Sequence, residues 1–441
     1  MIEKYLVKKI TEPVDWKVTV PGSKSMTNRA LLMAVLSAGT VRVEGVLFSD
    51  DSRHFLACLV ALGFTVEIEE EKKCVTVTGC GGRIPRGEAV IDVGSAGTAA
   101  RFLAAMLGFS DGCYEIRCSA QMKRRPMAEL FDLLSGVGAK ITFLEEEGHL
   151  PVRITGCRYA RADKTAGETP RELSLDITKS TQFLSALLLI APMVPEGMKI
   201  HITSEKTDGS YIRITRKMMQ EFGVSVAFDG RDYEVPCRSS YRKETYMVEP
   251  DMSAACYFYA AAAVTGGRAL VRHVHMDNTQ GDLRFLEVLE HMGCTADDTP
   301  EGVLVTGPAD GALRGITVNM NDFSDQALTL AAIAPFADAP VRIEGIGHIR
   351  GQECDRIHAI QTNLTALGIR CEEEETAATI YPGSPHGGSV ETYDDHRVAM
   401  AFSLVGLRTD GIVIENPACC RKTFENYFTV LSELTGKKTE A

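Results

Sequence analysis

The chain lacks the spacing that would turn its cysteines into a metal or redox site. None of the 13 forms a CxxC pair; Cys419 and Cys420 are adjacent, and Cys113 and Cys118 lie five apart. Neither a zinc-site nor a thioredoxin-like pattern is therefore present, and scattered thiols, odd in number, read as the reduced cysteines of a cytoplasmic protein. Positive charge is also short. Lys and Arg number 47 against 59 Asp and Glu, a net charge of −12, which excludes a general nucleic-acid binder. The richest apolar run, TQFLSALLLIAPMV, is too short and too punctuated to span a bilayer. The opening MIEKYLVKKI has no signal-peptide apolar stretch. A phosphate-cradling GxxxxGK[ST] is missing too: PGSKS approaches it without the spacing, so nucleotide hydrolysis is not indicated.

What remains is an ordinary globular composition, 45% hydrophobic and 24% charged, spread over 441 residues. That length exceeds one core and implies two domains. One pattern recurs six times. GSKSMTNRALLMAVLSAGTVRVEGV, GSAGTAARFLAAMLGFSDGCYEIRC and TKSTQFLSALLLIAPMVPEGMKIHIT come first. PDMSAACYFYAAAAVTGGRALVRHV, DFSDQALTLAAIAPFADAPVRIEGI and YDDHRVAMAFSLVGLRTDGIVIENP follow. Each has a polar start, an almost wholly apolar helix, a turn and a β-branched strand. Each is followed by an amphipathic helix such as LRFLEVLEHMG, where Leu283, Leu286 and Leu289 share a face. Gly63, Gly138, Gly223, Gly293 and Gly368 stand where a left-handed helix terminator belongs. A helix apolar all round must be enclosed, whereas one with a charged face sits outside. The expected fold is α/β, with inner helices and outer sheets, three modules to a domain. VTVPGS and YMVEPDMS mark the crossings, giving residues 22–249 as one domain and 1–21 with 250–441 as the other.

The polar starts carry the chemistry. The first turn of a helix has unpaired N–H groups and a partial positive charge, so it attracts anions. Lys24, Arg29, Arg101, Lys179 and Arg397, with Arg125, Arg356 and Lys422 nearby, add full charges to such starts. A cation there opposes the helix dipole and calls for a negative partner, which points to an anion site. Simpler readings stand beside this one. Ser25, Ser95, Ser180 and Ser324 could be helix caps, as could the carboxylates Asp322 and Asp325. Glu353 and Arg356 could be a surface pair three residues apart, and His396 could be structural.

At these residues the sequence resembles the 5-enolpyruvylshikimate-3-phosphate synthases of the enolpyruvyl transferase family. The likeness runs through PGSKSMTNRALL, GSAGTAARFLAA, MKRRPMAEL, STQFLSALLL, VEPDMSAACYFYAAAA, QGDLRFLEVLEHMG, ECDRIHAI, YDDHRVAMAFSL and RKTFENYF, in order along nearly the whole chain. It implies two domains of three βαβαββ units, an inside-out α/β barrel with buried parallel helices. It also implies transfer of the enolpyruvyl group of phosphoenolpyruvate to the 5-hydroxyl of shikimate 3-phosphate, with release of phosphate through a tetrahedral intermediate. No metal or cofactor is implied, nor any nucleic-acid or membrane partner; the protein is expected to be a cytoplasmic monomer whose domains close on the ligands. Carried over by position, Lys24, Ser25, Arg29, Ser180, Thr181, Gln182 and Asp325 meet shikimate 3-phosphate. Lys24, Gly97, Arg125, Gln182, Arg356, Arg397 and Lys422 meet phosphoenolpyruvate. Lys24, Asp325 and Glu353 are the proton-transfer residues. The chain departs from the family's usual residues at four places. Gln352 replaces a lysine whose charge Arg350 is expected to supply, Asp208 replaces a phosphate-contacting serine, Ser95 an asparagine and Phe102 a proline. Two relatives in the wider fold fit less well. UDP-N-acetylglucosamine enolpyruvyl transferases have asparagine where Ser25 follows Lys24, and RNA 3′-phosphate cyclases call for a basic surface. A non-catalytic phosphometabolite binder is the remaining alternative.

Overall fold

Helices of two kinds account for the architecture of this computed structural model, which describes residues 4–157, 169–309 and 312–436. The first kind is buried on every side. Gly97–Gly108 has no exposed residue, Thr181–Ile190 is buried from Phe183 onward, and His396–Arg408 is buried through Leu407. Lys24–Leu36, Met252–Thr265 and Ala327–Ile333 complete the set. The second kind buries one face only, as in Asp50–Ala61, Ser210–Glu221, Phe285–His291 and Arg356–Ala366. Apolar residues at every position leave a helix no face for water, so the first kind must be enclosed. The five terminator glycines all take positive φ, from 83° to 105°, a region that costs glycine little.

Among the described residues the strands form six small mixed sheets. In Glu88–Asp92, Cys113–Arg117, Val152–Thr155 and Lys140–Phe143, the first two strands run parallel and the last two pair antiparallel. The same order recurs in five four-stranded sheets. In the sixth, Lys4–Leu6 takes the antiparallel place beside Ile412–Glu415. Alternation sets the inward face: Val41 opposes Val77 and Val43 opposes Val75, all fully buried.

By contacts the chain divides into Gly22–Glu249 and a unit made of Met1–Pro21 with Pro250–Ala441. Each has its own apolar core. Strand pairing explains the discontinuity. Asp15–Val18 is the parallel first strand beside Arg268–Arg272, and Thr245–Met247 plays that part beside Thr40–Glu44. No helix among the described residues is long and apolar enough to cross a membrane.

Candidate active site

In the unit Gly22–Glu249, the helices Lys24–Leu36, Gly97–Gly108 and Thr181–Ile190 pack together. Lys24 opens the first of them, and its Nζ lies 3.3 Å from Asp51 Oδ2. The negative partner that a lysine at a helix start calls for is thus supplied in part by the chain itself. Asn28 Nδ2 donates to Thr98 Oγ1 at 2.6 Å and laces two of the inner helices together. Arg29 is wholly buried. Its Nε donates to Thr215 Oγ1 at 2.8 Å and its Nη1 to the Ser25 carbonyl at 2.9 Å. The rings of Phe102 and Tyr211 flank it. Burial pulls its pKa down to about 10, so it stays charged at neutral pH and braces the start of its helix against Ser210–Glu221.

Arg101 is the hub of the second group. Its Nη1 donates to Gln182 Oε1 at 2.9 Å and to the Gly97 carbonyl at 3.3 Å, and its Nη2 to the Pro126 carbonyl at 3.3 Å. Its guanidinium also lies over the Phe183 ring. Burial, reinforced by Arg125, holds its pKa well below the usual arginine range. A methyl group on Gly97 would collide with Arg125 Nη1 and come within 2.8 Å of Arg101 Nη1. Three residues expected at one site, Gly97, Arg125 and Gln182, therefore surround Arg101, which was singled out only as a cation near a helix start. Ser180 caps its helix by accepting from the Gln182 N–H at 3.2 Å, with Thr181 next in line. Lys179 instead turns to Glu129, 2.7 Å away. Asp208 is occupied within the chain, where Arg213 Nη1 reaches one oxygen at 2.9 Å and the Tyr233 hydroxyl the other at 3.2 Å.

In the other unit, five residues chosen from the sequence come together. Asp325 accepts from Arg356 Nη1 and from Arg397 Nη2, each at 2.9 Å. Arg356 Nε also donates to Asp395 Oδ2 at 2.8 Å. Asp395 caps the helix His396–Arg408, accepting from the Arg397 N–H at 2.9 Å. Glu353 Oε2 lies 3.1 Å from His396 Nδ1 and 3.3 Å from Lys422 Nζ. Burial alone would loosen the Arg356 proton, but Asp395 and Asp325 outweigh it and raise the pKa. Asp282 lies beneath, fully buried, accepting from Gln326 Nε2 at 3.0 Å and from the Ser253 hydroxyl. Burial first, and Asp325 second, push its pKa up to about 6, against the pull of Arg397.

Several simpler readings fail on this geometry. Ser25 is not a cap, since Ser23 precedes its helix, and Ala96, not Ser95, precedes Gly97–Gly108. Ser324 pairs with His348 Nε2 at 2.8 Å. Glu353 and Arg356, three apart in sequence, face different partners. Arg350 does not stand in for a lysine at Gln352: its Nη1 goes to Asp355 and Glu373, and its Nε and Nη2 to the carbonyls of Glu375 and Glu374. Three carboxylates went unnoticed in the sequence. Asp51, Asp282 and Asp395 are not among the residues singled out in the sequence, because their partners lie far along the chain.

Among the described residues, Glu353, Asp395 and His396 are the one group whose donor atoms, all within 4.8 Å, resemble a metal site. Lys422 and Arg356 already hold the two carboxylates, so an added cation would be repelled. The arrangement suits an anionic ligand instead, because guanidiniums are fixed there by the carboxylates beside them.

The chain is similar to known proteins along nearly its whole length. The family model for EPSP synthase (3-phosphoshikimate 1-carboxyvinyltransferase) matches residues 8–431. The 3-phosphoshikimate 1-carboxyvinyltransferase of Trichormus variabilis is 41% identical over 429 residues, covering 97% of this chain and 98% of its own. That of Nostoc punctiforme is 41% identical over 421 residues, covering 95% and 96%. Among solved structures, EPSP synthase from Acinetobacter baumannii superposes with a TM-score of 0.78 at 25% identity, covering 98% of this chain and 97% of that one. The enolpyruvyl transferase NikO from Streptomyces tendae shares the fold, with a TM-score of 0.75 at 16% identity and coverage of 98% and 97%.

Proposed function

The chain belongs to the EPSP synthase family, and from that premise we propose that it transfers the enolpyruvyl group of phosphoenolpyruvate to the 5-hydroxyl of shikimate 3-phosphate, releasing phosphate. In the addition step the hydroxyl oxygen bonds to C2 of phosphoenolpyruvate, its proton passes to a base, and C3 takes a proton from an acid. In the elimination step C3 gives up a proton, the double bond reforms and phosphate leaves. Both steps need acid and base groups facing the reacting atoms.

Lys24, Asp325 and Glu353 are assigned to those proton transfers. Ser25, Arg29, Ser180, Thr181 and Gln182, with Lys24 and Asp325, are assigned to shikimate 3-phosphate. Gly97, Arg125, Arg356, Arg397 and Lys422, again with Lys24 and Gln182, are assigned to phosphoenolpyruvate. Lys24 and its group lie in one unit and Asp325 and its group in the other. The reading includes a monomeric, cytoplasmic protein.

One observation carries most weight. Asp325 is held between the guanidiniums of Arg356 and Arg397, so a carboxylate able to take a proton sits against two cations able to bind anions. The test supplies phosphoenolpyruvate with either shikimate 3-phosphate or UDP-N-acetylglucosamine and measures phosphate release. Release with the shikimate compound alone is expected. Release only with the nucleotide sugar, or with neither, overturns the reading.

A further inference from the structure

Asp51 is a costly carboxylate to bury. Its side chain is only 6% exposed and its Oδ1 has no hydrogen-bond partner among the described residues. A buried polar atom left unpaired loses free energy that burial does not return. Nor does helix capping account for it. The helix Asp50–Ala61 is closed by its own capping box, in which the Ser49 N–H donates to Ser52 Oγ at 2.8 Å. The other Asp51 oxygen, Oδ2, meets Lys24 Nζ at 3.3 Å.

Lys24 needs such a contact. It opens the helix Lys24–Leu36, where the partial positive charge of the unpaired N–H groups pushes an ammonium away. A carboxylate at the start of a neighbouring helix is itself favoured there, so the two helix ends hold opposite charges face to face. The side chain of Lys24 is 16% exposed, and Asp51 tethers its ammonium.

We infer that Asp51 is the positioning residue for Lys24: it holds the ammonium where the reacting hydroxyl is to meet it, and acts on the reaction only through that lysine. The inference rests on the function proposed above. Asp51 acts only through Lys24, so its removal is expected to lower kcat by more than it raises either KM.

The test is a double-mutant cycle on the full chain, following phosphate release from phosphoenolpyruvate and shikimate 3-phosphate. Asp51→Asn is expected to lower kcat at least about tenfold, with both KM values within about threefold of wild type. Asp51→Glu, which keeps the charge, is expected to recover part of that loss. Combined with Lys24→Ala, Asp51→Asn is expected to cost nothing further, because its effect passes through the missing lysine. Wild-type kcat in Asp51→Asn, equal losses in the Asn and Glu variants, or a double variant slower by the full product would each overturn the inference. Should Asp51→Asn fail to fold, Asp51→Ser goes through the same cycle; loss of the fold in both overturns it in favour of a structural role. An inactive wild type would overturn the proposed function, and this inference with it; an active wild type with an unaffected Asp51→Asn overturns the inference alone.

Discussion

Arg356 meets Asp395 with two nitrogens, Nε to Oδ2 at 2.8 Å and Nη2 to Oδ1 at 3.3 Å, while its Nη1 reaches Asp325 at 2.9 Å. One guanidinium therefore serves two carboxylates at once. The planar fork makes this feasible; an ammonium lacks its fixed spacing and cannot keep the two-pronged contact with Asp395 while reaching Asp325.

Arg356→Lys is accordingly expected to leave a buried carboxylate short of its partner. Breaking such a pair costs about 3 kcal/mol or more, read as a lower urea midpoint. Turnover should fall by about 100-fold or more, since the same cation is assigned to phosphoenolpyruvate. A variant of wild-type stability would show that Asp395 finds another donor.

Gly97→Ala tests the crowding around Arg125. The added methyl would strike Arg125 Nη1, and the guanidinium must swing aside. The KM for phosphoenolpyruvate should rise by roughly tenfold or more while that for shikimate 3-phosphate barely moves. Equal rises in both would mean that the whole helix start had shifted.

Asp208 and Arg213 test how an acidic residue is tolerated near the proposed phosphate site. Removing the cation with Arg213→Ala leaves the carboxylate's charge unbalanced, and the KM for shikimate 3-phosphate should rise by roughly tenfold. Adding Asp208→Ser should bring it back down. Failure of the second change to restore affinity would separate Asp208 from the phosphate.

Asp282 gives a pH test. Its pKa is raised from an ordinary 3.8 to about 6, by burial and then by Asp325, so the folded state holds its proton more tightly than the unfolded one. Stability from this group is thus fully present below about pH 3.8 and lost as pH rises through about 6. Asp282→Asn should flatten that part of the pH–stability curve relative to wild type, measured by urea unfolding between pH 4 and 7. Parallel curves for the two proteins would remove Asp282 from the balance.

Much of this molecule is legible in a single dimension. An unbroken apolar stretch such as Ala254–Val264 can only be an enclosed helix, and the alternation of Val41 and Val43 can only be a strand with one buried face. Six copies of one local pattern then imply six modules, and the glycines after the outer helices mark where five of them turn. The cations Lys24 and Arg397 stand out because charge at the start of an apolar helix is locally unfavourable and asks for an explanation.

Pairings across long separations in the chain could not be read this way. Nothing local tells that Asp395 belongs to Arg356, 39 residues away, or that Arg350 spends its charge on the strand carrying Glu373. Nor does anything local tell that Asp51, rather than a ligand alone, answers the charge of Lys24. Periodicity and composition act over a few residues and dictate which elements form and which faces they bury. Which carboxylate neutralises which cation depends on how those elements pack, because an ion pair is settled by distance and desolvation in space, not by spacing along the chain.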